Sequence, residues 1–282
     1  MLSVALGDRG LRQSDAVFQH VRNLPELIES LFLSIDREDV AAVAVSAKPV
    51  AAKASYMPVF LAGRTSAVAI ASALGVPLIE TTHQAGHIRA ALYRNEELLG
   101  RERILALHIS GGTTDVLSVT LGDRTVQRID RVGGSADLHA GQFVDRVGVR
   151  LGLPFPSGKL LEALAHEAVR RDIKLPSSVR GLDCSFSGQE TRAQQLIDKG
   201  EANEEIAYAV YDCLARSIGK LIDAARDEVG DLPVLLGGGV SGSRLLRGLL
   251  KKRTDAELYF AADGLSGDNA VGAAFLGMDR LR

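Results

Sequence analysis

The chain of 282 residues carries 33 Lys and Arg against 35 Asp and Glu, a formal net charge of −2. This balance excludes nucleic-acid binding driven by bulk positive charge, and leaves only short basic runs such as 251–253 as local patches. The two cysteines, Cys184 and Cys213, lack the spacing of a metal or disulfide motif and predict a reducing, cytoplasmic environment. No apolar run reaches the length of a membrane span, so no membrane partner is expected.

Chain length and hydrophobic periodicity predict an α/β protein with two lobes, residues 1–98 and 99–282. The first ten residues are typical of a strand end that runs into a turn. The other expected elements of the first lobe are a helix over 15–33 capped by Ser14 and kinked or split at Pro25, a strand at 40–46 buried on both faces, a helix at 59–74, a strand at 76–80 and a helix that carries His83 and His87.

The second lobe follows a charged hinge at 101–103. Its expected elements are a buried strand at 104–109, a two-stranded meander at 116–119 and 125–131 with a turn at 121–124, helices at 136–150 and 159–170, a loop at 183–188, a helix at 204–229, strands at 231–236 and 257–260, and a small-residue helix that opens at 265–269.

Two histidines, His83 and His87, occur four residues apart in the predicted helix. On a helix this spacing places both imidazoles on one face, one turn apart, where they can bind the same metal ion. The pattern also fits two solvated histidines at the start of a surface helix. A metal site would need a third ligand from another part of the chain.

Asp268 is the candidate for that third ligand, although an aspartate at a helix start is also a common N-cap. A His/His/Asp set suits iron or zinc and leaves coordination positions for a substrate phosphate or carbonyl. A zinc peptidase would need the pattern His-Glu-x-x-His, in which the glutamate is the general base. Gln84 fills that place here, which argues against a peptidase.

Two glycine-rich loops, at 110–115 and 237–244, each follow a predicted buried strand. Consecutive glycines let backbone amides converge on an anion, and the second loop also leads into a helix N-terminus. Either loop alone is more typical of a tight turn. Their shared position after buried strands favours phosphate binding, and Asp145, between them in sequence, is either a ribose ligand or a surface carboxylate.

Taken together, these motifs resemble one family, the tRNA threonylcarbamoyladenosine transferases of the TsaD type, formerly described as O-sialoglycoprotein endopeptidases or glycoproteases. The motifs occur in one order over nearly the whole chain. They are 83–87, 110–112, 143–146 with 151–158, 185–188, 237–244 and 268–269. Each motif is weak by itself, but six in register are specific.

The resemblance implies the two-lobed fold of actin, sugar kinases and heat-shock chaperones, here without the initial strand of the first lobe. It implies transfer of a threonylcarbamoyl group from threonylcarbamoyl-AMP to N6 of adenosine 37 in tRNA, with one iron or zinc ion and an adenine nucleotide (the adenylate, AMP or ATP). The implied metal ligands are His83, His87 and Asp268. The implied nucleotide contacts are His108, Ile109, Ser110, Gly111, Gly112, Asp145, Gly158, Gly238, Gly239 and Ser243.

The chain departs from the family pattern at several expected nucleotide and tRNA contacts. The family starts with a strand and an acidic phosphate loop that would precede Met1. Thr113, Ser243, the pair Gln189 and Glu190, and Ala270 replace a histidine, an asparagine, a lysine and a glycine, respectively. These departures suggest a divergent, N-terminally truncated paralogue, because the metal set is intact while the nucleotide contacts are altered.

Three functions remain open from the sequence. The first is a metal- and nucleotide-binding transferase acting on tRNA. The second is a non-catalytic, nucleotide-binding subunit that keeps the fold in order to pair with a family partner. The third is a carbamoyltransferase acting on another substrate, which the absence of positive net charge favours because tRNA binding depends on phosphate contacts. Separately, a homodimer is also open.

Overall fold

The computed structural model describes residues 12–282, so the strand end expected in the first ten residues lies outside the described part. In chain order the α-helices and β-strands are α1 (Gln13–Ser34), β1 (Val43–Lys48), α2 (Val59–Leu74), β2 (Leu78–Thr82), α3 (His83–Ala91), β3 (Arg103–Ile109), β4 (Thr114–Gly122), β5 (Thr125–Ser135), α4 (Ala140–Arg150), α5 (Gly158–His166), β6 (Ser178–Arg180), β7 (Asp183–Ser185), α6 (Ser187–Asp198), α7 (Asn203–Val229), β8 (Val234–Gly237), α8 (Arg244–Leu250), β9 (Leu258–Phe260) and α9 (Val271–Leu281). Short 3-10 helices form at Arg37–Asp39, Glu96–Gly100 and Gly239–Gly242. No helix among the described residues is both long and apolar enough to cross a membrane.

The described chain divides into two compact units. The first contains residues up to Ala90, the short stretch Arg124–Val126 and the C-terminal segment Asn269–Arg282, while the second contains the remainder. This grouping differs from the predicted lobes in three respects: residues 91–98 belong with the second unit, while Arg124–Val126 and the C-terminal segment belong with the first. The C-terminal segment does so because α9 packs on β1: a side-chain carbon at Gly277 would lie 2.9 Å from Cβ of Ala44.

The first unit is built on a parallel pair of strands, β1 and β2, with Val43 opposite Leu78 and Ser46 opposite Thr81. Helix α2 has the bounds predicted from its periodicity and ends at Gly75, whose φ of 68° is the left-handed cap conformation that glycine adopts most easily. β1 was expected to be buried on both faces, but all six of its residues are only half-buried. Within the described residues its sheet has just these two strands.

One expectation for α1 was wrong, that of the Ser14 cap, and one of the two alternatives for Pro25 is excluded. Ser14 lies inside the helix, where its hydroxyl donates to the Asp15 carboxylate at 3.3 Å, and the N-cap position is taken by Arg12 without a side-chain cap bond. Pro25 does not split the helix, which runs without interruption for 22 residues. Proline removes a single backbone donor, and the hydrogen bonds on either side of it keep the helix continuous.

The second unit contains a seven-stranded sheet in the order β6-β7-β5-β4-β3-β8-β9. β3 pairs antiparallel with β4 and parallel with β8. The predicted meander is confirmed, and Asp123 and Arg124 at its turn both have positive φ, as a tight hairpin turn requires. One face of β3, with Leu105, Leu107 and Ile109, belongs to a core that includes buried residues of α4, α5, α6 and α7.

Candidate metal centre and glycine-rich loops

The metal candidates begin on α3, which starts directly after β2. Thr82, the last residue of the strand, accepts a hydrogen bond from the backbone N–H of Ala85 at 3.1 Å through its side-chain oxygen. This bond satisfies one of the free amides of the first helical turn, which is the role of an N-cap. The helix therefore begins at His83, and the predicted one-turn spacing of the two histidines is confirmed.

The two imidazoles lie side by side. Their Nε2 atoms are 3.0 Å apart and their ring planes are inclined at 82°. His87 is 7% exposed, and the His83 ring packs edge-on against Phe60 with centroids 5.8 Å apart. Two atoms that bind one ion at about 2.1 Å cannot be more than about 4.2 Å apart, so the pair satisfies that limit.

Asp268 completes the group of candidate ligands, and it directly precedes Asn269, where the C-terminal segment of the first unit begins. Among the described residues, the ligand atoms of His83, His87 and Asp268 all lie within 4.8 Å of one another. Two imidazole nitrogens and one carboxylate oxygen form a donor set that iron and zinc both accept. The residues fit such an ion after a small adjustment of the carboxylate.

Asp268 does not occupy the N-cap position of α9. α9 begins at Val271 with Ala270 at its N-cap position, and the side-chain oxygen of Asn269 accepts the N–H of Gly272 at 3.3 Å. Gly272 also permits close packing, because a side-chain carbon there would lie 1.8 Å from the carbonyl oxygen of Gly86. The start of α9 therefore contacts the turn of α3 that separates the two histidines.

The first glycine loop is held together by its own hydroxyl groups. The N–H groups of Gly112 and Thr113 donate to Oγ of Ser110 at 3.3 and 3.1 Å, and the Thr113 hydroxyl lies 3.2 Å from Nδ1 of His108. Two of the amides that were expected to converge on an anion thus converge on Ser110. An anion at this loop would meet hydroxyl groups or would compete with Ser110 for these donors.

The second glycine loop lies beside the first. β3 and β8 are parallel neighbours, with His108 opposite Gly237, so both loops leave the same edge of the sheet at the carboxyl ends of the strands. Gly238 has a φ of 89° and sits so close to Ile109 that a side-chain carbon would lie 2.4 Å from the Ile109 carbonyl oxygen. Ligands of open α/β sheets bind outside this edge. The structure therefore brings residues 108–112 and 238–239 together.

Asp145 lies on α4 and was expected to bind ribose or to be a surface carboxylate. It is half-buried, and its Oδ1 accepts the backbone N–H of Ser157 at 2.7 Å. Burial raises the pKa of Asp145, and the N–H groups of Ser157 and Gly158 oppose that shift. Asp145 thus holds the backbone just before α5, next to Gly158. Each carboxylate oxygen has two lone pairs, so acceptor capacity remains for a ligand.

The comparisons with known proteins identify the family. The sequence profile described as TsaD, tRNA N6-adenosine threonylcarbamoyltransferase, matches residues 9–275. The chain belongs to this family. It is 30% identical over 275 residues to the tRNA N6-adenosine threonylcarbamoyltransferase of Methanopyrus kandleri, covering 95% of this chain and 76% of that protein. It is 27% identical over 272 residues to the enzyme of the same name from Archaeoglobus fulgidus, covering 95% of this chain and 80% of that protein.

Solved structures agree on the fold. The crystal structure of HypF from T. kodakarensis matches with a TM-score of 0.56 and 17% identity, over 78% of this chain and 39% of HypF. At this identity the likeness concerns the fold alone. The predicted α/β fold of the actin-like ATPase class is confirmed.

Asp137 was not identified by any sequence pattern. It binds the segment 185–188, which is another of the motifs that resemble the TsaD family. The segment was expected to be a loop, but it contains the end of β7 and the start of α6. Asp137 accepts hydrogen bonds from the backbone N–H groups of Phe186 and Ser187 at 2.9 and 3.3 Å, and from the Ser187 hydroxyl. It therefore caps α6 from 50 residues away in sequence.

We expect this cap to make stability depend on pH under acidic conditions. Partial burial alone would raise the pKa of Asp137, but the hydrogen bonds from Ser187, Phe186 and Leu138 outweigh it and hold the pKa below 3.8. A carboxylate whose pKa is depressed on folding stabilises the fold above its unfolded pKa and loses that contribution as the pH falls through its folded pKa. Asp137→Asn should therefore lower the thermal unfolding midpoint at pH 7. Below about pH 3.8 the difference in midpoint between the variant and the wild type should become smaller.

Circular dichroism melts over this pH range measure the effect. Asp198→Asn, at the exposed C-terminal end of the same helix, is the matched control. If the midpoint of Asp137→Asn stayed below that of the wild type by the same amount down to the lowest pH, the assignment of Asp137 as the cap would be contradicted.

Proposed function

We propose that this chain transfers the threonylcarbamoyl group of threonylcarbamoyl-AMP to N6 of adenosine 37 in tRNA. The observation that supports this proposal is the family match, which spans residues 9–275 and so includes the histidine pair, both glycine loops and Asp268. In the reaction the N6 nitrogen forms a bond to the carbamoyl carbon while the bond from that carbon to the phosphate oxygen breaks. AMP leaves with the electron pair of that bond, and the N6 proton passes to AMP or solvent.

The proposed metal is iron or zinc, bound by His83, His87 and Asp268. Such an ion would supply a Lewis acid that polarises a phosphate or carbonyl oxygen of the substrate. The contribution of the chain is to hold the three donors in place, which it does through the Thr82 cap and the close contact between Gly86 and Gly272. The first contact joins the Thr82 side chain to the backbone of α3 and the second brings two backbone segments together, so both act on the main chain that carries the histidines.

The proposed nucleotide contacts are the loops at 108–112 and 238–239 together with Asp145, Gly158 and Ser243. Ser110 and Thr113 offer hydroxyl groups, and Asp145 offers a carboxylate oxygen for ribose. Ser243 caps α8 by accepting the N–H of Leu246 at 3.1 Å. These groups can orient AMP as the leaving group. Holding the reacting groups in the right geometry accelerates the reaction by itself.

The test of this function uses the purified full chain loaded with Fe²⁺ or Zn²⁺, threonylcarbamoyl-AMP and an unmodified tRNA transcript. We expect threonylcarbamoyladenosine in a nucleoside digest analysed by mass spectrometry, and none from a transcript in which adenosine 37 is replaced by guanosine. A chain that binds AMP and metal yet yields no product would contradict catalysis by this chain alone. A chain that binds neither AMP nor the metal ion would contradict the proposed function altogether.

A partner subunit is the second candidate role, favoured by apolar side chains exposed on α1 and α2. These side chains are Phe18, Val21, Leu27, Leu31, Leu61 and Val68. Exposed apolar side chains concentrated on neighbouring elements are typical of surfaces that bind another protein. We propose that a second copy of this chain binds there, and light scattering at micromolar concentration should give the mass of a dimer. A monomer under these conditions would contradict the proposal.

Gly239 provides a direct test of nucleotide binding. Within the described residues, open space surrounds the position where its side-chain carbon would lie, so Gly239→Ala should fold as the wild type does. In the proposed complex the added methyl group would occupy space next to the phosphate, and the dissociation constant for AMP should rise at least about tenfold. Calorimetric titration measures it. Gly100→Ala is the matched control, since Gly100 also lies in a 3-10 helix with open space around it. Equal AMP affinity in both variants would remove the second loop from the site.

A further inference from the structure

We propose that Tyr211 is a positioning residue for nucleotide binding, because its hydroxyl holds the carbonyl oxygen of Gly158, one of the proposed nucleotide contacts. The proposal rests on the function proposed above, since it concerns the same nucleotide contacts. No sequence motif pointed to Tyr211. In the sequence it is simply one aromatic residue among the apolar positions of a long helix.

Tyr211 lies on α7 and is 2% exposed. Its hydroxyl donates to the carbonyl oxygen of Gly158 at 2.8 Å. The Ser243 hydroxyl is among the groups that lower the pKa of Tyr211, and its own oxygen accepts the N–H of Leu246 at 3.1 Å. The phenol of Tyr211 therefore holds the backbone of Gly158, the first residue of α5.

Two further hydrogen bonds reinforce the same region. Oε1 of Glu162, on α5, accepts the N–H of Leu245 at 2.8 Å and so links α5 to α8. Asp145, on α4, fixes the backbone of Ser157. Tyr211 differs from both because it comes from α7, in which most residues between 205 and 225 are buried. It therefore ties the start of α5, which carries Gly158, directly to α7.

The hydroxyl of Tyr211 remains a donor throughout the physiological range. Burial raises the pKa of Tyr211, and the nearby carboxylates of Glu162 and Asp145 raise it further. A phenol in this state exchanges no proton with a substrate near neutral pH, so Tyr211 acts through geometry and not through acid–base chemistry. Its removal should change how well the nucleotide is held, and should leave the rate of the bound complex nearly unchanged.

The test is Tyr211→Phe, which removes the hydroxyl and keeps the ring. We expect the dissociation constant for AMP, measured by calorimetry, to rise about three- to tenfold, the loss expected for one neutral hydrogen bond. The KM for threonylcarbamoyl-AMP should rise by a similar factor, with kcat within about twofold of wild type. Tyr208→Phe is the matched control: Tyr208 lies one turn earlier on α7, and its ring contacts the Arg171 guanidinium at 4.8 Å, away from Gly158. It should match wild type in all three quantities.

A second variant keeps the proposal testable if Tyr211→Phe unfolds easily. Glu162→Ala removes the hydrogen bond that links α5 to Leu245. Because this bond and that of Tyr211 both hold α5, the two substitutions together should raise the AMP dissociation constant by less than the product of their separate effects. Wild-type affinity in Tyr211→Phe, or fully multiplicative effects in the double variant, would overturn the positioning role. Absence of AMP binding in the wild type would instead overturn the proposed function, so the two failures can be told apart.

Discussion

Replacement of His83 or His87 by alanine should abolish stoichiometric metal binding and lower threonylcarbamoyl transfer by at least about 100-fold. Loss of a residue that only orients a metal ligand already costs about 10- to 100-fold in affinity or activity, so loss of a ligand should cost more. Each ring contributes one nitrogen to the group formed with Asp268, whose ligand atoms lie within 4.8 Å of one another. One histidine and one carboxylate would remain, which is too few for a stable iron or zinc site. Asp268→Ala should act in the same direction.

Metal content per chain, measured by mass spectrometry after loading and gel filtration, is the primary measurement, and transfer to tRNA is the second. His166→Ala is the matched control because His166 lies on α5, is exposed and belongs to no group of candidate ligands among the described residues. Circular dichroism separates loss of metal from loss of fold, which matters because His87 is buried. Full metal content in the His83→Ala and His87→Ala variants would show that the pair is a structural hydrogen bond between two rings.

The parts of the fold that could be predicted from the sequence are those with long, regular periodicity. α2 has the predicted bounds and α7 begins one residue before the predicted start. α7 buries a continuous apolar stripe whose spacing is visible in the sequence, and α2 is bounded by Pro58 and by the left-handed cap residue Gly75. α6 was missed. Its 12 residues are mostly polar, and its start depends on Asp137, which reaches it from another part of the chain. A tertiary cap of this kind leaves no local signal.

In the candidate site, too, local patterns could be predicted from the sequence and contacts between distant residues could not. The spacing of the histidines and the position of the glycine loops after buried strands follow from local sequence, and both patterns are confirmed. The sequence could not separate cap from ligand at Asp268, because that choice depends on which residue lies at the N-cap of α9. In the structure this residue is Ala270, and the Asn269 side chain accepts the N–H of Gly272. Tyr211 could not be found either, since a core tyrosine and a positioning tyrosine look alike until the partner of the hydroxyl is known.

The largest expected effect on stability comes from a buried ion pair next to the histidines. Arg89, two residues after His87 on α3, donates to Asp279 on α9 through Nε at 2.7 Å and a terminal guanidinium nitrogen at 3.2 Å. Their side chains are only 7% and 4% exposed, and the Thr125 hydroxyl also donates to Asp279 at 2.9 Å. The Arg89 guanidinium lies over the ring of Phe275, 4.7 Å from its centroid. The pair thus fastens α9, the helix that starts just after Asp268, to the helix that carries the histidines.

Removal of one partner should therefore cost much more than removal of both. Asp279→Ala or Arg89→Met leaves a single charge buried and uncompensated, and should lower the free energy of unfolding by about 3–5 kcal/mol. The double variant with Arg89→Met and Asp279→Leu replaces both charges by apolar side chains and should recover most of that loss, because the cost of desolvating the pair disappears with its attraction. Urea unfolding followed by circular dichroism measures each value. The exposed pair Arg150 and Asp198, 2.6 Å apart, is the control, and its disruption should cost less than about 1 kcal/mol. Additive losses in the double variant would mean that the two side chains stabilise the fold independently. In that event the link between α9 and α3 would rest on other contacts, among them those of Gly272 with Gly86 and of Arg89 with the Phe275 ring.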